Sequence, residues 1–154
     1  MILDIVQYPD PFLFKPSQPV DKVDEGIQRT VRDMFETLYA QENCAGLAAP
    51  QLGIPWRMTV IDFSEGKNKP LCMINPKIES HSTEMVLDEE GCMSIPVVTG
   101  KVKRFAEITV RFLNEQGEAM RMENVSGFMA RVMQHEIDHL DGILFLDRLS
   151  ATRK

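Results

Sequence analysis

Apolar residues recur at helical spacing over about residues 24–41, where Ile27, Val31, Met34, Phe35 and Leu38 form one stripe along an otherwise polar segment. Such a stripe predicts an amphipathic helix packed on a core. The period then changes. Short apolar runs near residues 46–51, 57–62 and 71–75 read as strands, followed by a polar stretch that reaches Leu87. Two more strands fall near residues 107–113 and 119–123, with Asn114-Glu115-Gln116-Gly117 between them as a hairpin loop. The last main element is a second helix, from Ser126 as N-cap to about Asp141, with Gly142 placed to stop it. Pro9, Pro11, Pro16 and Pro19 hold the N-terminal segment in turns and extended pieces. Two helices and many short strands predict an α+β fold: a single compact domain of mainly antiparallel sheets packed around the second helix.

Composition agrees. A chain of 154 residues, 44% hydrophobic and 26% charged, is long enough to bury one continuous core. The formal net charge of −6 argues against direct nucleic-acid binding, and the basic run Lys101-Val102-Lys103-Arg104 reads as a solvated strand edge. No apolar segment is long enough to span a membrane, and MILDIVQYPDPF lacks the basic start and apolar stretch of a secretion signal. Three cysteines at irregular spacing do not make a disulfide framework. The expectation is a cytoplasmic, reduced chain with a thiol free to bind metal.

The strongest chemical feature is HEIDH, residues 135–139, inside the second helix. Positions i and i+4 share a helical face, so His135 and His139 can present two imidazoles to one ion. Glu136 lies about 100° around from His135, close enough to reach a water at that ion without being a ligand. The same spacing would also suit a solvated helix with two surface histidines. The neighbours argue otherwise. Met129, Met133, Ile137 and Leu140 form one apolar face, while Phe128 and Val132 line up with the histidines on a second. A helix apolar on both sides is buried on both sides, and buried imidazoles need a partner.

Two histidines leave a catalytic metal site one protein ligand short. Cys92, the carboxylates Glu89 and Glu90, and His81 are the candidates. Residues 89–96, with Gly91 just before the thiol, read as a short loop that could turn Cys92 toward a metal. Cys72, inside an apolar run, reads as core. Cys44 reads as a small residue in a tight turn, and His81 as an exposed residue in a polar stretch. The small residues of Cys44-Ala45-Gly46-Leu47-Ala48-Ala49-Pro50-Gln51 would suit either a tightly packed strand or close approach to a ligand.

Taken together and in order, CAGLAAPQ, EGCMS and QHEIDHLDG resemble the three signature motifs of the peptide deformylases. The N-terminal YPDP…PV segment and the first helix are similar to that family too, so the resemblance spans essentially the whole chain as one catalytic domain. It implies removal of the formyl group from N-formyl-methionyl nascent peptides. It also implies one divalent metal ion, Fe2+ in the cell, with Zn2+, Ni2+ or Co2+ able to replace it in a purified sample.

Carried over by residue, the resemblance makes Cys92, His135 and His139 the ligands and Glu136 the general acid/base. The Gln51 amide and the Met93 N–H would face the formyl oxygen, and backbone at Gly46 and Gly91 would hold an extended peptide. By helical spacing, Phe128 lies seven and Val132 three residues before His135, so both share its side of the helix and, with Ala45 from the first motif, would line the slot for the methionine side chain. Arg131 would either fold its stem over the rim with its charge in water or pair with Asp138. The sequence departs from the family pattern at Cys44, where glycine is usual, at Met93, where leucine is usual, and at Thr99, where many bacterial members carry arginine. It also ends at Lys154 without the long C-terminal extension linked to ribosome contact, which puts that contact in question. Two rival readings remain. An HExxH endopeptidase would leave Cys92 and Gln51 without a role, and an inactive peptide-binding relative would be expected to have lost Glu136 or a ligand.

Overall fold

Asp24 caps the first helix, α1 (Glu25–Ala40), by accepting a hydrogen bond from the Ile27 N–H at 2.9 Å. The computed structural model of the chain describes residues 1–149. The apolar stripe of α1 buries Ile27, Val31, Met34 and Leu38, as its spacing predicts, with Thr37 beside them. It packs on a five-stranded antiparallel sheet of order β1-β2-β3-β6-β7. These strands are β1 (Gly46–Ala48), β2 (Met58–Ile61), β3 (Leu71–His81), β6 (Glu107–Leu113) and β7 (Ala119–Ser126).

Both faces of the sheet are covered over β2 and the first half of β3. Met58, Val60, Cys72 and Ile74 pack into the cluster around α1. Their neighbours Ile61 and Met73 point the other way, into a cluster with Val132, Met133 and Ile137 of the second helix, α2 (Gly127–Leu140). Alternation along a strand produces this division, and it is why these strands read as continuous apolar runs. Every residue of α2 from Ala130 to Leu140 is buried. Gly142, with φ +75°, ends the helix region; a Cβ there would lie 2.5 Å from the Phe14 carbonyl oxygen.

Four expectations are corrected here. Residues 46–51 are not one strand: β1 has three residues, and a 3-10 turn, Ala49–Leu52, follows. The polar stretch after residue 75 is also ordered. β3 runs on to His81 across a register shift near Pro76, whose nitrogen cannot donate to the ladder. Residues 89–96 are not a loop but the end of a hairpin, β4 (Met85–Cys92) and β5 (Ile95–Phe105), which forms a separate two-stranded sheet. Within β5, the basic run is not a solvated edge. Its residues alternate, with Val102 and Arg104 buried and Lys101 and Lys103 exposed.

The proline-rich N-terminal segment straps these parts together. Val6 N–H donates to the Gln51 carbonyl at 2.6 Å, Tyr8 N–H to the Ser94 carbonyl at 2.8 Å, and Ser17 N–H to the Leu140 carbonyl at 2.7 Å. It therefore touches the 3-10 turn, the β4–β5 turn and the end of α2, the three places that carry the chemistry.

Candidate active site

Cys92 ends β4, where the hairpin register shifts and Cys92 pairs with Ile95. His135 and His139 lie one turn apart on α2, and their rings stand 5.1 Å apart. The hairpin and the helix bring Cys92, His135 and His139 together so that one donor atom from each lies within 4.8 Å of the others. Cys92 Sγ is 3.3 Å from His139 Nε2.

One of the two imidazoles is aimed by a carboxylate. His135 Nδ1 bonds to Glu90 Oε1 at 2.9 Å, which leaves Nε2 free for the thiol side of the site. Glu90 is itself gripped by the Arg104 guanidinium through two bonds of 2.9 Å and by Arg131 Nη1 at 2.5 Å. Arg104 also donates to Asp138, and Asp138 holds Arg148. Glu90 thus orients a histidine rather than joining the donor set. Burial would raise its carboxyl pKa, but the hydrogen bonds from Arg104 and His135 hold it well below the ordinary carboxylate range. Glu89 is exposed, and His81 lies at the end of β3 stacked on Phe105, away from the cluster.

Gln51 reaches the same place from the 3-10 turn. Its Oε1 accepts from the Ala48 N–H at 2.9 Å, which fixes the amide so that Nε2 must face outward. Nε2 meets Ser94 Oγ at 3.2 Å and Cys92 Sγ at 3.4 Å.

The electrostatics fit a cation. Burial would lower the His135 pKa, yet hydrogen bonds to Cys92 and Glu90 raise it to about 10, so this imidazole holds a proton that a bound cation must displace. His139 is pushed the other way, well below its ordinary value, by burial and by His135, and is neutral as a ligand must be. Its Nδ1 and Glu136 Oε1 are buried and find no hydrogen-bond partner among the described residues. Burial drives the Glu136 carboxyl up to about 7, with His135 opposing. A sulfur and two nitrogens with no fourth protein donor among the described residues match an open catalytic metal site.

A cavity of about 310 Å³ opens beside these groups, lined by Ala45, Gly46, Gly91, Met93, Phe128, Arg131, Val132 and Glu136. Gly46 belongs to β1, an edge strand. Asp62 N–H bonds the Ala45 carbonyl, so that pair is hydrogen-bonded, and by antiparallel alternation the Gly46 N–H and C=O face the open edge. The Cys44 thiol reaches the Gly46 carbonyl from that side at 3.4 Å. Cys44 is therefore a buried wall of the cavity, not merely a turn residue; burial and Glu136 push its pKa up to about 12. Thr99 pairs with Gly91 at the rim. Phe128 is 54% exposed, so it forms the lip of the cavity and Val132 its inner wall.

Arg131 corrects both expectations. It is buried, and it donates to Glu90, the Val102 carbonyl and the Val86 carbonyl, not to Asp138 or to water. Glu90 and Arg104 are the functional residues whose roles the sequence did not reveal. One signal was available: Glu90 lies two residues before Cys92 on a strand, hence on the same face.

The sequence model of the polypeptide deformylase family matches residues 2–154. The chain belongs to the peptide deformylase family. It is 49% identical over 153 residues to peptide deformylase 1 of Coxiella burnetii, covering 97% of this chain and 89% of that one. The crystal structure of the peptide deformylase from Thermotoga maritima superposes with a TM-score of 0.91 at 41% identity, covering 97% of this chain and 99% of that one. A Met-Ala-Ser-bound deformylase from Acinetobacter baumannii superposes with a TM-score of 0.89 at 32% identity, covering 97% and 99%. The activity is that of the family: hydrolytic removal of the formyl group from the N-terminal methionine of new polypeptides. The family is metal-dependent, in keeping with the sulfur and nitrogen cluster. Among the described residues no helix is long and apolar enough to cross a membrane.

Proposed function

We propose that residues 1–154 form one catalytic domain in which Cys92, His135 and His139 hold a single divalent cation and Glu136 moves the protons of deformylation. The observation that carries this reading is the convergence of three donor atoms within 4.8 Å next to a buried Glu136 oxygen that lacks a partner. A divalent cation there supplies Lewis acidity, which brings the pKa of water toward neutrality and offsets charge on the formyl oxygen. Sulfur with two imidazoles suits iron or zinc, and we assign Fe2+ as the cellular metal, with Zn2+, Ni2+ or Co2+ as substitutes.

Glu136 accepts a proton from the water that attacks the formyl carbon. The Gln51 Nε2–H and the Met93 N–H donate to the oxygen as it gains charge; one such donor is worth about 2.7–4 kcal/mol. As the C–N bond breaks, Glu136 returns its proton to the departing amine, giving formate and a free N-terminus. The open edge at Gly46, with Gly91 opposite on β4, binds the nascent peptide as an added strand. Val132, Ala45 and the lip residue Phe128 take the methionine side chain. Arg131 acts from behind the pocket by clamping Glu90. The substrate assigns the enzyme to the cytoplasm, where new chains carry formyl-methionine. The C-terminal end that puts ribosome contact in question, residues 150–154, lies outside the described residues.

The test is anaerobic purification with metal analysis, followed by assay on formyl-Met-Ala-Ser and formyl-Ala-Ala-Ser. We expect one metal per chain, inactivation of the iron form in air, and a several-fold to hundreds-fold preference for methionine, at about 0.8 kcal/mol per buried methylene. Val132→Trp should abolish that preference. Equal rates on the two substrates would remove the assigned pocket.

A further inference from the structure

Three buried side-chain atoms find no hydrogen-bond partner among the described residues: Glu136 Oε1, His139 Nδ1 and Thr59 Oγ1. Proton transfer accounts for the first but not for the other two. Both of those residues are closed to solvent, His139 with 1% exposure and Thr59 with 0%. Polar groups this deep are ordinarily paired, because water cannot supply the missing bond.

Thr59 and His139 lie across one interface. The strand register sets Ala48, Thr59 and Met73 in a row across the sheet. Met58 and Val60, on either side of Thr59, face α1, so Thr59 faces α2 together with Ile61 and Met73. Two contacts fix its level along that helix. Ile61 pairs with Gly46, and a Cβ on Gly46 would lie 3.2 Å from both Ile61 Cγ1 and Glu136 Cγ, so Ile61 sits beside Glu136. Arg57 Nη1 donates to Asp141 Oδ1 at 2.7 Å. Thr59 is midway between Ile61 and Arg57 on the strand, and therefore lies against the helical turn between Glu136 and Asp141. Of that turn, His139 and Leu140 share the face of Glu136, and only His139 is polar.

The His139 ring is turned to suit. Its Nε2 is 3.3 Å from Cys92 Sγ and faces the donor cluster, so Nδ1 lies on the opposite side of the imidazole. A neutral histidine that ligates through Nε2 carries its proton on Nδ1 and needs an acceptor there. Glu90 serves His135 in this way, whereas no carboxylate or carbonyl among the described residues serves His139. We propose that Thr59 is the positioning residue for His139. Its Oγ1 accepts the Nδ1–H, by rotation of the threonine side chain or through one enclosed water, and so fixes the tautomer and ring plane of the second ligand. This rests on the reading that His139 holds the metal through Nε2. A hydroxyl in this place orients the imidazole without adding a second buried anion beside Glu136.

The experiment compares zinc-loaded wild type, Thr59→Val and Thr59→Ser. In the wild type, NMR should show the His139 Nδ1 proton as a slowly exchanging, hydrogen-bonded signal, and Thr59→Val should shift it and speed its exchange. Valine keeps the shape of threonine and removes the hydroxyl, so Zn2+ affinity in chelator competition should fall by about tenfold, as for loss of a partner that orients a ligand. Thr59→Ser keeps the hydroxyl and should bind Zn2+ close to the wild-type affinity. Unchanged affinity in Thr59→Val, equal losses in the valine and serine variants, or a His139 proton in the wild type that is not hydrogen-bonded overturns the proposal. A wild type in which zinc leaves His139 unligated overturns the underlying reading instead.

Discussion

A Cβ on Gly46 would lie 3.2 Å from both Cγ and Oε2 of Glu136, and 3.2 Å from Ile61 Cγ1. The edge strand and Glu136, the proposed proton carrier, are thus packed against each other with no room for a side chain. Gly46→Ala must move Glu136 or the strand edge by a few tenths of an ångström. Small displacements of a reacting group are expensive; about 1 Å can cost on the order of 100-fold. We expect kcat to fall by roughly ten- to a hundredfold with full metal content. Wild-type kcat in the alanine variant would show that Glu136 tolerates the shift and that its position is not critical.

Glu136→Gln separates proton transfer from metal binding. The amide keeps the size of the side chain and leaves the three donor atoms untouched, but it cannot accept a proton. A positioned acid/base group contributes about 10²–10⁴-fold, so kcat should drop by that order while metal stoichiometry stays at one. Near-normal turnover would rule out the assigned role.

What the sequence made legible were the features that depend on local periodicity. The stripe of α1 and the i, i+4 histidines on α2 can each be read within one helix, and the structure keeps them. Hidden features depend on partners distant in sequence. β5 carries Pro96, Val97 at φ +59° and Gly100, which punctuate it like a loop. Arg104 was read as solvated because its buried partners, Glu90 and Asp138, sit on β4 and α2. Arg131 escaped for the same reason. On its own helix Asp138 is a natural partner, whereas the groups it bonds come from β4 and β5. A charged residue that follows two exposed lysines in a basic run offers little local sign that it turns inward.

The Glu90 cluster yields paired expectations. Glu90→Gln removes the anion that aligns His135, and losing such an orienting partner lowers metal affinity by about 10–100-fold. Chelator competition for Zn2+ measures this directly, and unchanged affinity would mean that His135 is held by helix packing alone. Arg104→Ala does something different: it strips Glu90 and Asp138 of a shared, almost fully buried cation. Breaking a buried pair costs about 3–5 kcal/mol when the other charge is left alone; here Glu90 keeps Arg131 and Asp138 keeps Arg148, so urea unfolding should report a smaller loss of stability.

The three cysteines differ in environment enough to be separated by substitution. Cys72 sits in the core cluster beneath α1, and burial, with Glu115 adding to it, lifts its thiol to about 12. Cys44, in the cavity wall, is raised to about 12 by burial and by the neighbouring Glu136, so it stays protonated and is a poor ligand. Cys92 alone has both imidazoles and the Gln51 amide around its sulfur. Cys92→Ser should therefore lose most bound metal and activity, and in the cobalt-loaded protein the thiolate-to-cobalt charge-transfer absorption should vanish. Cys72→Ser should cost stability through a buried hydroxyl, about 1–3 kcal/mol, and retain that absorption. Cys44→Ser should retain it as well, since the Gly46 carbonyl can accept from a hydroxyl as it does from the thiol. Equal metal loss in all three variants, or a charge-transfer band that survives Cys92→Ser, would place the third ligand elsewhere.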